Sequence, residues 1–433
     1  MREMKDSGIE WIGEIPADWN LKKLKHTFTI SSGTTPKSDN LEYWDGDIPW
    51  VTPADYKTED KYVYHGRKFL SEAGLNATNL QLLPVNSIIF SKRAPIGAVA
   101  ITGAKLAINQ GCISCVPAIE CDIRYYYFIL SIYTEQFNLL GSGTTFKEIS
   151  SKDFGNFTVP APSVSVQEKL ADYLDRKCSQ IDAIIARQQE VIEKLKAYKL
   201  SVITEAVTKG LNPNVPMKDS GVEWIGEIPV HWDLIKATRI IISTQNGLSR
   251  RDLSKSTGKI VLKLRNISSN GEIDYEYQNR IELTGQELDT YRLSDGDILF
   301  VRVNGSKSLV GKCAIFHSIG EDVAYNDHII RVRISEKCIK KFLFWYLLSI
   351  CGKMEIDLHT STSAGQYTIS GEELRDIRFI LPPKIEQLEI DRYLSKMSRC
   401  IDKIIHQKQI SIDELSAYKK SLIFEVVTGK REV

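Results

Sequence analysis

The sequence predicts an α+β protein: two β-rich mixed α/β domains separated by two long antiparallel coiled-coil helices, the whole carrying a pseudo-twofold internal repeat. Three observations predict this. Residues 4–19, MKDSGIEWIGEIPADW, return as 217–232, MKDSGVEWIGEIPVHW, with 13 of 16 positions identical. AYKLSVITEAVT at 197–208 returns as AYKKSLIFEVVT at 417–428, with eight of 12 identical. Between the repeats lie short β-type runs punctuated by Gly, Pro, Asn and Asp, among them SIIFSK and CISCVP in the first half and DILFVRV and IIRVRI in the second. A chain that contains itself twice is two half-copies. The expected division is a first domain with its lead-in segment at 1–158, a central helix at 159–213, a second domain with its lead-in at 214–378, and a C-terminal helix at 379–433.

Length agrees, because 433 residues exceed what one ordinary core organises. The 56 Lys and Arg against 55 Asp and Glu leave a net charge of +1. That excludes a polycation that holds nucleic acid by bulk charge, so any such site must be a local patch. No apolar run reaches the length of a membrane span, and the start lacks the apolar stretch of a signal peptide. The expected location is cytoplasmic. Eight cysteines are too few and too scattered for a disulfide framework. The tightest group, Cys112, Cys115 and Cys121, lacks a second pair or histidines at ligand spacing and reads as small buried hydrophobes, so no metal is expected.

The helices show a heptad seam. Every seventh residue gives Leu174, Ile181, Gln188, Leu195 and Val202, and the second copy repeats it as Leu394, Ile401, Lys408, Leu415 and Leu422. Ile184, Val191 and Tyr198 flank the seam three residues on, Ile185 and Ile192 four residues on. Both copies place a polar residue, Gln188 or Lys408, at the seam's centre, where it can fix register. An ordinary amphipathic helix is the plainer reading of either copy alone. A matched pair favours pairing with each other. Pro160 and Pro162, and Pro382 and Pro383, introduce the helices; Gly210 and Pro213 stop the first. Residues 167–209 as one helix span roughly 64 Å, the length of a spacer. Each half also carries one aromatic-rich helix candidate, at 124–130 and 341–347.

Catalytic motifs fail one by one. The segment from Gly305 to Lys312 has the wrong spacing for a phosphate loop, and Cys313 stands where Ser or Thr should hold magnesium. The glycines at 141 and 143 follow a helix candidate, whereas a cofactor-binding turn should follow a strand. The seven histidines form no HxxxH-type pair. The chain is expected to be no enzyme and to bind no cofactor itself. The loops instead carry donors and acceptors suited to base edges and phosphates. In the first half these are Ser31, Thr34, Thr35, Lys37, Lys92, Arg93, Asn109, Gln110, Thr144, Thr145 and Lys147. In the second they are Gln245, Asn246, Arg250, Arg251, Lys263, Arg265, Asn266, Arg302, Asn304, Lys307, Asn326, His328, Gln366 and Tyr367. Any one of them is equally well normal loop surface. Clusters at matched places in both copies carry the argument for double-stranded DNA.

The repeated GIEWIGEIPxxW lead-in, the GTTFKEIS segment at 143–150, the Pro-x-x-x-x-Gln start of each helix and the AYKxS ending resemble the specificity subunits of type I restriction–modification systems. The resemblance covers essentially the whole chain. It implies two target recognition domains, each reading one part of a split DNA sequence. It also implies partners: two modification subunits, which carry the methyltransferase chemistry and its S-adenosylmethionine, and restriction subunits, which carry the motor and nuclease. Trp11 and Trp224 are then equivalent anchors, either for a modification subunit or for stapling each domain to the helices.

Overall fold

The computed structural model describes residues 2–78, 81–93, 96–141, 147–250, 257–268, 270–363 and 365–433. It divides into two units, one of Met1–Gln188 with Ile410–Val433 and one of Gln189–Gln409.

The first unit is built on a five-stranded sheet of β1 (Phe28–Ser32), β2 (Tyr62–Val63), β3 (Ile88–Ser91), β4 (Val99–Thr102) and β5 (Cys112–Pro117), in the spatial order β1-β5-β3-β4-β2. All pairs are antiparallel except β2 with β4. β3 and β4 are buried along their whole length, which explains their unbroken apolar runs. A smaller sheet of Trp44–Val51, Lys68–Leu70 and Ala107–Ile108 adjoins it. The aromatic helix α1 (Ile123–Ile132) buries Tyr125 to Leu130. Asp122 caps it by accepting from the backbone N–H groups of Arg124 and Tyr125. α1 lies between the sheet and the long helix α2 (Val164–Lys209), and one core runs from Phe28, Ile88 and Phe90 through Tyr125 and Tyr126 to Leu174, Cys178 and Ile181.

The second unit repeats the plan with four strands, β6 (Ile241–Asn246), β7 (Ile298–Val301), β8 (Cys313–Ile315) and β9 (Ile329–Ile334), in the order β6-β9-β7-β8. Its lateral sheet is Lys259–Leu262, Arg280–Ile281 and Val323–Tyr325, with the parallel pair of the first copy reproduced. Helix α3 (Lys340–Leu348) takes the place of α1, and α4 (Lys384–Val427) is the second long helix. The lead-in repeats are hairpins, Met4–Asp6 with Glu14–Pro16 and Met217–Asp219 with Glu227–Pro229.

Each unit holds the N-terminal half of one long helix with the C-terminal half of the other, which is antiparallel pairing. In the first unit Asp182 meets Lys419 at 2.6 Å; in the second the equivalent residues exchange roles, and Lys199 meets Asp402 at 2.7 Å. Leu174, Ile181, Leu394, Ile401 and Leu422 are buried, and Gln188, Leu195, Val202, Lys408 and Leu415 half-buried, so the heptad positions face inward. The flanking columns separate. Four past the seam, Cys178 and Ile192 are buried and Ile185 half-buried; three past it, Val191 is half-buried and Ile184 and Tyr198 are 46% and 54% exposed, as are their counterparts Ile404 and Tyr418 in lesser degree.

A buried glutamine joins the long helix to the aromatic one in each unit. Gln167 accepts from the Asp122 N–H at 3.0 Å and donates to the Pro162 carbonyl at 2.8 Å. Gln387 accepts from the Ile339 N–H and donates to the Pro382 carbonyl, both at 2.8 Å. Replacing Gln167 by Leu keeps the volume but leaves a buried N–H and a buried C=O without partners. We expect Gln167→Leu to destabilise the full chain by about 1–3 kcal/mol, read as a lowered urea midpoint, and Gln387→Leu to do the same.

Candidate nucleic-acid interface

Each unit gathers its candidate loops at one end of the strands of its main sheet, through backbone bonds that recur in both units, with one more, Asp327 N–H to Leu248 O, in the second. Just past β1, Gly33 N–H bonds the Cys112 carbonyl and Thr34 N–H the Ile108 carbonyl; past β6, Gly247 N–H bonds the Ile329 carbonyl and Leu248 N–H the Tyr325 carbonyl. Asn109 N–H reaches Val51 O, and Asn326 N–H reaches Leu262 O. Lys92 N–H takes the Gly111 carbonyl while Lys92 O receives Ile149 N–H; Arg302 N–H takes the His328 carbonyl while Arg302 O receives Ile369 N–H. This aligns Gly33 with Gly247, Thr35 with Ser249, Asn109-Gln110 with Asn326-Asp327, and Lys92 with Arg302.

Side chains on this frame differ but interlock alike. The Thr35 hydroxyl bonds the Gln110 side chain, and the Ser249 hydroxyl bonds Asp327 at 3.0 Å. Lys92 reaches the Ser32 hydroxyl at 3.2 Å and Glu148 at 2.9 Å, and Arg93 holds the same carboxylate at 2.8 Å. Burial alone would raise the pKa of Glu148, but hydrogen bonds from Lys92 and Arg93 outweigh it and hold the carboxyl below its usual value. Arg302 donates to the Asp327 carbonyl, and the Asp327 carboxylate is shared with the His328 ring at 2.9 Å. Asn304, Gln366 and Tyr367 lie on a three-stranded ribbon of Val303–Asn304, Ser361–Ser363 and Gln366–Thr368, where Asn304 pairs with Tyr367 and Gln366 is exposed. Lys37, Lys147 and Lys307 are exposed and have no ion-pair partner among the described residues.

Other candidates are spent internally. Ser31 is exposed, but its hydroxyl bonds Ser114 at 2.7 Å on the face of β1 opposite Ser32. Gln245 is engaged by the buried Arg331. Asn246 is exposed at the end of β6. Asn266 is buried and binds Lys263 N–H and the carbonyls of Asp274 and Tyr277, which makes it a turn brace and leaves the Lys263 side chain half-buried beside it. Arg265 lies over the Tyr277 ring at 5.1 Å. Arg250 is held by Glu287 at 3.1 Å. Thr144, Thr145 and Arg251 lie outside the described residues. Ser32, whose hydroxyl also lies 2.8 Å from that of Ser151, and Glu148, Ser249 and Asp327 were not singled out in the sequence; the signal for Ser249 and Asp327 was their alignment with Thr35 and Gln110. The tryptophans also divide. Trp19 and Trp232 are the buried anchors of the lead-ins. Trp224 is tied down by Glu355 at 3.1 Å and by Arg378 over its ring, whereas Trp11 stacks on Phe157 and is 40% exposed.

The chain matches the family model described as type I restriction modification DNA specificity domain, over residues 16–194 and 248–414. It belongs to that family. Among curated relatives it is 25% identical to the StySPI specificity subunit of Salmonella potsdam, covering 96% of this chain and 90% of that one. It is 28% identical to the MjaIX specificity subunit of Methanocaldococcus jannaschii, over 98% and 95%. With the EcoKI specificity subunit of Escherichia coli the identity is 22%, over 96% and 90%. The fold is shared with a chain of a type I R-M system solved in a study of its assembly, at a TM-score of 0.73 and 13% identity over 96% and 99% of the two chains. The HsdS subunit of Thermoanaerobacter tengcongensis gives a TM-score of 0.50 at 12% identity, over 96% and 98%. No helix among the described residues is long and apolar enough to cross a membrane.

The frame depends on two close approaches that this specificity subunit makes with glycine. A Cβ at Gly33 would lie 2.1 Å from the Ile108 carbonyl oxygen, and one at Gly247 would lie 2.3 Å from that of Asn326. Both obstacles are backbone, so neither can step aside. Gly33→Val should therefore disturb binding to the first half of the target and Gly247→Val the second, each weakening DNA retention by the assembled complex about tenfold or more. Gel-shift titration against half-site-mutated duplexes distinguishes the two.

Proposed function

We infer that this chain reads a bipartite double-stranded DNA target, one half-site per recognition domain, and directs adenine methylation and cleavage that partner subunits perform. One observation carries the reading: a shared hydrogen-bonded frame in both units presents different side chains, as two readers of two sequences would require. Lys92 with Ser32, Arg302 and Lys307 supply phosphate contacts; Gln110, Asn304, Gln366 and the ribbon supply donors and acceptors for base edges. The partners are two modification subunits, which bring S-adenosylmethionine, and restriction subunits. The 4–19 and 217–232 repeats with the helix ends form two quasi-equivalent surfaces for the modification subunits, and native mass spectrometry of the complex should give two per chain. The recognition domains span 1–158 and 214–378, joined through the helical segments 159–213 and 379–433.

The test is to map methylated adenines genome-wide with and without the gene; a bipartite motif should vanish with it. Replacing residues 20–158 by the matching region of a relative should change one half of that motif and leave the other intact. Coordinated change in both halves contradicts the modular reading. The helices should set the spacer: a four-residue insertion near Gln188 adds about 6 Å of helix, equal to one or two base pairs at roughly 3.4 Å each. It also shifts the heptad register, so activity should fall less when the same insertion is made at 208–212. Retention of the original spacing by an active insertion mutant would show that the helices do not measure the gap.

A further inference from the structure

The two sheets end differently. In the first unit the outer edge of β4 is covered by β2, with Tyr62 opposite Ile101 and Val63 opposite Thr102. The Ile101 N–H bonds the Lys61 carbonyl and the Gly103 N–H the Val63 carbonyl, each at 2.8 Å. Lys61 then closes the space beneath. Its ammonium lies 5.0 Å from the Phe128 ring and 5.6 Å from that of Tyr127 and bonds Asp175 on α2. Arg124 joins from α1, holding Asp122, Asp172 and Asp175.

In the second unit β8 holds the place of β4, because Ile298 faces Ile315 as Ile88 faces Ile101. β8 is the last strand of its sheet, and among the described residues no strand pairs with its other edge. Lys312 and Phe316 spend their backbone groups on β7, through Val301 N–H to Lys312 O and Phe316 N–H to Asp297 O. By the alternation of an antiparallel ladder, the backbone groups of Ile315 and His317 face outward. Beside this edge lies a groove of about 1340 Å³, floored by Leu200, Ile203, Tyr275, Ile315, Phe344 and Trp345. The carboxylates that met Lys61 and Arg124 are gone from its walls. The glutamine bracket aligns Asp122 with Ile339 and Arg124 with Lys341, and the repeat of the long helices aligns Asp172 with Arg392 and Asp175 with Ser395. Of the three acids that line it, Asp402 is met by Lys199 and Glu193 by Lys196, and Glu272 alone has no ion-pair partner among the described residues. Lys341, Lys353 and Arg399 line the groove without an ion-pair partner among the described residues.

We propose that this groove is a docking site for an acidic peptide segment of another protein chain, bound in extended conformation as a fifth strand along Ile315–His317. The first unit supplies the template: a short parallel strand on the same edge, with a charged side chain reaching down beside the aromatic pair. The second unit keeps the aromatic floor and inverts the charge, so the visitor carries carboxylates where β2's flank carries Lys61. Every second side chain of an extended segment points the same way, so acidic residues alternate with apolar ones that fill the floor. The site is independent of DNA reading and lies on residues that the interface above does not use.

A display library of peptides about eight residues long, the length of an ordinary strand, is selected on the full chain. Enriched peptides should alternate Asp or Glu with apolar residues and protect the outward amides of Ile315 and His317 from hydrogen exchange while leaving 101–103 unchanged. N-methylation of alternate peptide amides should weaken binding about tenfold or more, and so should Lys341→Glu, which alters an exposed side chain and leaves the fold intact. No enrichment, enrichment of basic or uncharged peptides, indifference to N-methylation or to Lys341→Glu, or protection elsewhere would each overturn the proposal.

Discussion

The amide of one glutamine per unit fixes where the long helix starts relative to the domain it supports. Gln167 and Gln387 are both buried, and each is bonded at its oxygen to the first turn of an aromatic helix and at its nitrogen to the proline carbonyl that precedes the long one. A side-chain amide can do this because it offers donor and acceptor from one rigid plane. Buried, neither bond can be exchanged for water, so the geometry is specified rather than merely favoured. The bracket sets α1 against α2 and α3 against α4, and in the first unit the aromatic helix in turn sets the sheet, since Phe28 of β1 packs edge-on to Tyr126. Tyr125 extends the same chain of constraint to the other long helix by donating to the Val427 carbonyl.

Once the sheet is placed, loop position follows from backbone hydrogen bonds that no side chain needs to make. Gly33, Ile108, Val51 and Lys92 in one unit, and Gly247, Tyr325, Leu262 and Arg302 in the other, are joined through N–H and C=O groups alone. Such a frame tolerates replacement of Thr35 and Gln110 by Ser249 and Asp327, because in each unit these two side chains bond each other and not the scaffold. Recognition can then diverge at little cost in stability. The near-neutral net charge fits this design: Lys92 and Arg93 are held by Glu148, so positive charge is positioned locally.

Much of this was legible in the sequence, and the parts that were not have identifiable reasons. Heptad positions such as Leu174 and Leu394 were readable because helical periodicity is a property of the local chain. The exposure of Ile184 and Tyr198 was not, because an apolar residue three past the seam and one four past it look alike until the partner helix selects a side. Ser31 and Ser32 are indistinguishable as residues; strand parity puts the first against Ser114 and the second beside Lys92, and parity depends on register. Gln245 and Asn266 read as surface donors but face a buried arginine and an inward turn, neighbours separated from them by sequence distance or by fold. In the lead-ins, Trp11 and Trp19 stand equally close to apolar residues, and only the packing of the domain decides that Trp19 is buried.

The departures from symmetry are coherent, which bears on how the two copies came to differ. Among the described residues the second copy has no strand in the place of β2 and so no counterpart of Lys61, which with Arg124 holds Asp175 in the first; a carboxylate with fewer partners beside aromatic rings would be costly to keep. The second copy carries Ser395 there and Arg392 at the position of Asp172. Trp232 gains Glu386, which accepts its indole N–H at 3.0 Å, where the first copy has Val166 and leaves the Trp19 indole nitrogen buried without a partner. Trp224 likewise gains Glu355 and Arg378. In the first case a cation and an anion are absent together; in the other two the tryptophan is kept and a polar partner is added to it. The two halves therefore share the backbone geometry, while the polar groups set around it differ from one copy to the other.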